Sequence, residues 1–277
     1  MYLRGCKFSY EKVKQKIDMW HTVRTHCPDL FEDWSWKDPK MKELINCGIN
    51  VPIKGYDKHG RKVIILNSSR LNPDKFSMAE QFRASLMINE LLMASGDEQA
   101  GICGAIIVQD VQEASIGMMR NFSPSIGKKA MTIFQEAYPS NPKAMFFLGL
   151  PSFLEPVFNV MMSFSKEKFR QRIQMCTKGD FSKLHQELGT EVLPKEYGGT
   201  NGCMQDHIGK SYVMVFTFIH YICHSISDDL VKSLEKKSSW LSKQYKYKSN
   251  EKKRPGKEKL YSDIFGMEGS FRQLSVD

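Results

Sequence analysis

The sequence predicts an α/β fold built on a mixed, mostly parallel sheet flanked by helices. Three short apolar runs of strand type lie at 61–66, 104–108 and 144–148. Long stretches with helical periodicity separate them, and strands alternating with helices indicate parallel crossovers rather than hairpins. The 277 residues, 41% hydrophobic and 26% charged, have an ordinary globular balance, enough for one large domain or one domain plus a small satellite.

The elements follow in order. Ser9 is the N-cap of a helix carrying Val13, Ile17 and Trp20, which ends near Cys27-Pro28. A connection with Trp34, Trp36 and Pro39 leads to a short helix at 40–47. The polar turn at 56–60 enters the first strand, 61–66. Ser77 and Glu80 form a capping box that opens a helix with Phe82, Leu86 and Met93. The segment 95–101 reads as a loop before the second strand. Pro124 opens a helix with Ile126, Ala130, Ile133, Phe134 and Ala137 on one side, and Tyr138-Pro139 stops it before the third strand. Residues 151–164 form an apolar helix with two adjacent methionines, and Lys166, Lys168, Arg170 and Arg172 follow directly. A helix at 181–188 precedes Leu193-Pro194-Lys195-Glu196-Tyr197-Gly198-Gly199. The basic tail, 243–259, reads as a solvated, loose segment after a last helix.

The net charge of +9 favours acidic partners such as a headgroup surface. Seven cysteines with no CxxC pair exclude a disulfide framework or zinc ribbon. There is no GxSxG, HExxH or GxGxxG after a strand. Gly209-Lys210-Ser211 resembles the end of a P-loop, but Met204 stands where glycine is needed. His220, Cys223 and His224 sit in an apolar run without a carboxylate and are left uncommitted. Too few aromatics flank the basic runs to stack bases, so no nucleic-acid partner is expected. These exclusions point to a binding protein and away from an enzyme.

The LPKEYGG segment at 193–199 resembles the LPxEYGG signature of the CRAL-TRIO lipid-binding family. Tyr138-Pro139, a strand and then Pro151 resemble that family's passage into its gate helix. Residues 1–20 resemble the last helices of its small N-terminal domain. The ending, 265–277, resembles the alpha-tocopherol-transfer and retinaldehyde-binding branch. The resemblance implies a sheet floor and helices around an apolar cavity, with a mobile gate helix at 151–164 and a truncated helical N-terminal domain before it. It divides the chain into 1–47, the remnant of that domain, 48–204, the lipid-binding domain, and 205–277, a C-terminal helix and basic tail. It implies a cytoplasmic monomer, peripheral on membranes, that binds and transfers one non-covalently held hydrophobic molecule (a tocopherol such as vitamin E, a retinoid such as retinal, or a phospholipid) and needs no cofactor. The alternative is a lipid-sensing scaffold without transfer activity.

The same resemblance supplies candidate residues. Phe82, Ser85 and Asn89 on one helix face, with Ile133, Tyr138, Met145, Phe158 and Met161, line the cavity. Ser85 and Asn89 are polar and suit a ligand hydroxyl. Arg4, Lys143, Lys168 and Arg172 fall on basic positions that bind phosphoinositide phosphates, while Asn141 replaces a further basic residue. Lys168 and Arg172 are four apart and are expected to share a helical face. The family's D-x-x-G is here Asp110-Val111-Gln112-Glu113, without the glycine.

Two departures stand out. The chain starts late, so apolar surface of the helix at 9–26 is expected to be exposed. Residues 209–227 have no counterpart in the family. Residues 212–226 within them are apolar but shorter than the roughly 20 residues of a spanning helix. The codons of Gly209-Lys210-Ser211 and Ile226-Ser227-Asp228 accommodate splice donor and acceptor sequences, so the block reads as a retained, in-frame intron. Sequencing the messenger RNA is expected to find a shorter transcript, and finding none refutes this reading. The alternative, a membrane-seeking insertion, lacks a charged stripe opposite its apolar face.

Overall fold

The computed structural model describes residues 1–32, 35, 38–208 and 229–266. Trp34, Trp36, the 209–227 block with its uncommitted histidines, and 267–277 lie outside the described residues. Four helices come first: α1 (Tyr2–Gly5), α2 (Tyr10–His26), α3 (Pro28–Phe31) and α4 (Pro39–Asn46). Strands β1 (Val51–Pro52) and β2 (Lys62–Asn67) lead to α5 (Met78–Ser95) and α6 (Glu98–Cys103). Next come β3 (Ala105–Asp110), α7 (Gly117–Arg120) and α8 (Pro124–Thr132), which runs on as a π turn, Ile133–Ala137. Then follow β4 (Pro142–Leu148), α9 (Glu155–Ser163), α10 (Glu167–Arg170), β5 (Ile173–Cys176), α11 (Ser182–Leu188) and α12 (Met204–Ile208). Helices α13 (Asp229–Lys236), α14 (Ser238–Leu241) and α15 (Tyr261–Phe265) complete the described chain.

The sheet is mixed and mostly parallel, as the sequence predicts. Its order is β1-β2-β3-β4-β5, with β1 antiparallel to β2 and every other pair parallel. The three predicted strands are β2, β3 and β4. Two were missed: β1 has only two residues, and β5 has four with Gln174 among them, so neither is an apolar run. The segment 95–101, read as a loop, runs into α6 instead, capped by the Asp97 carboxylate accepting from the Ala100 amide.

The capping box of α5 is formed: the Ser77 hydroxyl accepts from the Glu80 amide at 3.3 Å, and the Glu80 carboxylate from the Ser77 amide at 2.8 Å. Ser9 stands at the N-cap of α2, but its side chain makes no cap hydrogen bond. The first turn of α4 is capped by Asp38 instead, through the Lys40 amide at 3.0 Å.

Two cores result. Below the sheet, Val63, Ile65, Ile106, Val108, Phe146 and Leu148 pack against Leu184 and Leu188 of α11 and against Tyr197 and Ile208. A helical core joins α2, α3, α4 and α5 to α13, α14 and α15 through residues such as Phe31, Leu44, Leu86, Leu234, Leu241 and Phe265. Its ionic centre is Arg24, whose guanidinium donates to Glu90 at 2.5 Å between the rings of Trp20 and Phe31. Both side chains are almost wholly buried.

The Leu193–Gly199 segment locks the strand ends. The Tyr197 hydroxyl donates to Asp110 Oδ2 at 2.9 Å, and Asn67 Nδ2 donates to the same oxygen at 3.2 Å. Burial and the adjacent Asp110 push the Tyr197 phenol far above its ordinary value. Both Glu196 carboxylate oxygens accept from the Met204 amide at 2.9 Å and so start α12. Helix α12 in turn packs on α13.

His207 on α12 holds the β1 end of the sheet. Its Nδ1 accepts from the Lys54 amide at 3.1 Å, and its Nε2 donates to the Asn201 carbonyl at 2.8 Å. Those partners assign the neutral tautomer. Burial lowers its pKa and Lys54 adds to this, against Asn201, Asp206 and Glu196. The unfolded state therefore binds the proton first as pH falls, so the His207 contribution is complete above about pH 6.5 and is lost through the lowered folded-state value. Thermal melts are expected to show wild type losing stability in that window relative to His207→Gln. A parallel decline in both proteins refutes the assignment.

The basic tail is not loose. Arg254 donates to Asp18 of α2 at 2.5 Å, to Thr22 Oγ1 at 2.7 Å and to Glu251 at 2.6 Å, while Lys259 donates to Asp18 at 2.6 Å. Hydrogen bonding from Arg254 holds the Glu251 carboxyl down at about 2. The charges that hold the segment come from a distant helix, which is why its own composition reads as solvated. On its other side α2 leaves Tyr10 and Ile17 exposed, along with the preceding Leu3 and Phe8.

Candidate functional site

The two faces of the sheet differ. Opposite the packed face, Ile64, Leu66, Ile107, Met145 and Phe147 are apolar yet only half-buried. Helix α9 carries Val157, Phe158, Val160, Met161 and Met162, and none of its residues is buried. It reaches across the open face by two contacts. The Phe158 ring stands edge-on to Phe147 with centroids 5.0 Å apart. Met161 lies against Gly127 of α8, its sulfur 2.6 Å from where a Cβ would stand. Only glycine lets the methionine pack so close.

Helix α5 supplies another wall. Phe82, Ser85 and Asn89 are half-buried, while Ala84, Leu86, Met87 and Ile88 between them are buried. Their three- and four-residue spacing puts them on one stripe. The Phe82 ring faces Phe134 at 6.4 Å. Asn89 Nδ2 donates to the Ser85 carbonyl at 2.8 Å.

Met145, Phe158 and Met161 thus stand at half-buried positions on and over the open face, while Phe82 of the α5 stripe packs against the helical core. Ile133 and Tyr138 are not at half-buried positions. Ile133 is fully buried in the helical core, and Tyr138, 3% exposed, donates its hydroxyl to Glu90 at 2.7 Å. The π turn adds a residue to the helical repeat and shifts the side-chain phase, which a 3.6-residue periodicity does not register. Phe147 was missed, although it lies two residues beyond Met145 and so on the same sheet face.

The basic residues collect at one edge. Arg4 pairs with Glu98 of α6 at 3.3 Å. Gly104, which joins α6 to β3, lies against the Lys143 stem. The Arg172 guanidinium donates to the Pro142 carbonyl, at the start of β4. Arg4, Lys143 and Arg172 therefore meet around the N-terminal ends of β3, β4 and β5. Lys168 is exposed on α10. It does not share a helical face with Arg172, because α10 ends at Arg170 and the chain then extends into β5. Lys16 was not foreseen. Its Nζ donates to the Gln135 and Tyr138 carbonyls at 2.8 and 2.6 Å, a cation on the carbonyl end of the α8 helix. Burial lowers its pKa.

Among the described residues, no helix is long and apolar enough to cross a membrane, and no group of three or more His, Cys, Asp or Glu suits a metal ion.

The fold is that of an α/β protein with an apolar helix lying across a half-buried apolar sheet face. The chain belongs to the CRAL/TRIO domain family, which matches residues 46–199. Among curated proteins it is similar to the mouse alpha-tocopherol transfer protein-like protein, 29% identical over 201 residues, covering 73% of this chain and 57% of the relative. Human clavesin-2 is 24% identical over 198 residues, 72% of this chain and 60% of the relative. The chain thus spans somewhat over half the length of these relatives. The crystal structure of Sfh5 superposes with a TM-score of 0.52 at 21% identity, covering 86% of this chain and 79% of that one, which shows the shared fold.

Proposed function

We propose that the chain binds one hydrophobic molecule, of the tocopherol, retinoid or phospholipid class, between the open sheet face, α5 and α9, and transfers it between membranes. The observation that carries this reading is α9: an apolar helix with no buried residue, lying over an apolar sheet face that is itself only half-buried. Such surfaces gain roughly 25 cal/mol for each Å² removed from water, and a ligand between them supplies that burial. The soft Met161 and Met162 side chains suit a surface that repacks around its ligand. Asn89 and Ser85 are the polar side chains of the α5 stripe and suit a ligand hydroxyl. No covalent step is involved.

Arg4, Lys143, Lys168 and Arg172 meet phosphoinositide headgroups while α9 opens against the bilayer, keeping the protein peripheral to it. Arg172 also braces Pro142, so the clean test uses the exposed lysines. Lys143→Ala with Lys168→Ala removes two charges worth about 1 kcal/mol each at an anionic surface, roughly a 30-fold loss. Transfer to phosphoinositide vesicles is expected to slow accordingly with ligand capacity unchanged. Unchanged transfer refutes the basic-edge role, and ligand binding without any transfer by wild type makes the chain a lipid-sensing scaffold.

A further inference from the structure

A second pocket lies where α1, α2 and the C-terminal end of α5 meet the C-terminal segment. Its volume is about 400 Å³, and it contains none of the eight cavity residues named above. Tyr2, Trp20, Trp240 and Tyr247 supply four aromatic rings, Ile17 lies at its exposed rim, and Glu90 stands in its wall. The Trp20 and Tyr247 rings are 6.3 Å apart.

Glu90 makes this more than a packing gap. Its residue surface is 1% exposed. Three donors converge on one of its oxygens: Arg24, Trp20 Nε1 at 2.9 Å and the Tyr138 hydroxyl at 2.7 Å all meet Oε1. No donor among the described residues reaches Oε2. A carboxylate has about four lone-pair sites, so Oε2 keeps acceptor capacity of its own. Three of the pocket's donors already have partners. The Tyr2 hydroxyl donates to the Ala137 carbonyl at 3.0 Å, Trp20 Nε1 is spent on Glu90, and Gln244 Nε2 donates to the Trp240 carbonyl at 3.0 Å.

A carboxylate oxygen among aromatic rings suits a flat molecule with a donor. Arg24 already neutralises Glu90, so that molecule need carry no charge. We propose that this pocket binds a neutral aromatic molecule with a single N–H or O–H donor, an indole or a phenol, hydrogen-bonded to Glu90 Oε2. Its rings stack among Trp20, Trp240 and Tyr247. The volume lies within the range of small-molecule sites. The proposal is independent of lipid transfer.

The test is fluorine NMR of the full chain titrated with 5-fluoroindole and with 1-methyl-5-fluoroindole, which has nearly the same shape and no donor. The indole is expected to bind saturably and at least tenfold more tightly than its methylated analogue. Ile17→Trp, at a position 40% exposed, is expected to block the pocket without unfolding the chain. Trp240→Ala, 36% exposed, removes a ring and is expected to weaken binding by a route that needs no added bulk. Phe82→Trp, in the other cavity, is expected to change nothing. Equal affinity for the two probes, no saturable binding, or binding untouched by both pocket variants overturns the proposal.

Discussion

Gly199→Ala is expected to leave no folded protein. A Cβ at that position stands 1.9 Å from the Leu193 carbonyl oxygen and 2.4 Å from its carbon, both backbone atoms. Leu193 cannot retreat. Its side chain is fully buried, and the same carbonyl accepts from the Asn201 amide at 3.0 Å. The turn that would have to open also carries Tyr197 to Asp110 and Glu196 to the start of α12. The cost belongs with the largest single-residue effects, above about 4 kcal/mol. Gly101→Ala is the control, because its Cβ meets nothing nearer than the Arg4 side chain at 3.8 Å. Soluble yield and far-ultraviolet circular dichroism decide the matter. A soluble Gly199→Ala with the native spectrum and melting temperature would sink the argument.

The second large effect is at the helical core. Arg24→Met is expected to cost about 3–5 kcal/mol, because it strands the Glu90 carboxylate in the interior. Arg24→Met combined with Glu90→Gln is expected to recover most of that loss. The glutamine carries no charge and keeps an oxygen for Trp20 and Tyr138, which both donate to Glu90 Oε1. Urea denaturation of the two singles and the double forms the thermodynamic cycle. An Arg24→Met protein within 1 kcal/mol of wild type contradicts the role given to this pair.

What the sequence made legible is what short-range chemistry determines. The Ser77 and Glu80 cap, the Tyr138-Pro139 stop and the central apolar strands act over a few residues, and all were read from neighbours in the chain. The apolar helix α9 was also legible, since eight large apolar side chains in 151–164 stand out at any distance. The rest depends on partners far away. Strand β5 exists because Met145, Phe146, Phe147 and Leu148 offer it a ladder, not because Ile173–Cys176 favours extension. Ile133 and Tyr138 are apolar enough for either of two spaces, and the π turn sends them to the core. Arg172 was assigned to a helix because charge spacing cannot show that α10 stops two residues before it. The site followed the same rule: the spacing of Phe82, Ser85 and Asn89 shows their shared face, whereas Arg4, Lys143, Lys168 and Arg172, from segments over 160 residues apart, were linked through the family resemblance alone.

The clasp between Arg254 and Asp18 joins residues 236 positions apart. Asp18 of α2 leaves the ribosome long before Arg254 is made. At about 5–20 residues per second, roughly 12–47 s separate the synthesis of the two halves of that contact. Throughout that interval Asp18 has neither Arg254 nor Lys259 beside it, and the ring of Tyr247 has not yet reached Trp20. Premature stop codons upstream of Arg254 therefore strike a helix far from where they are written, stripping Asp18 of α2 of both its cations although the codons of α2 are intact.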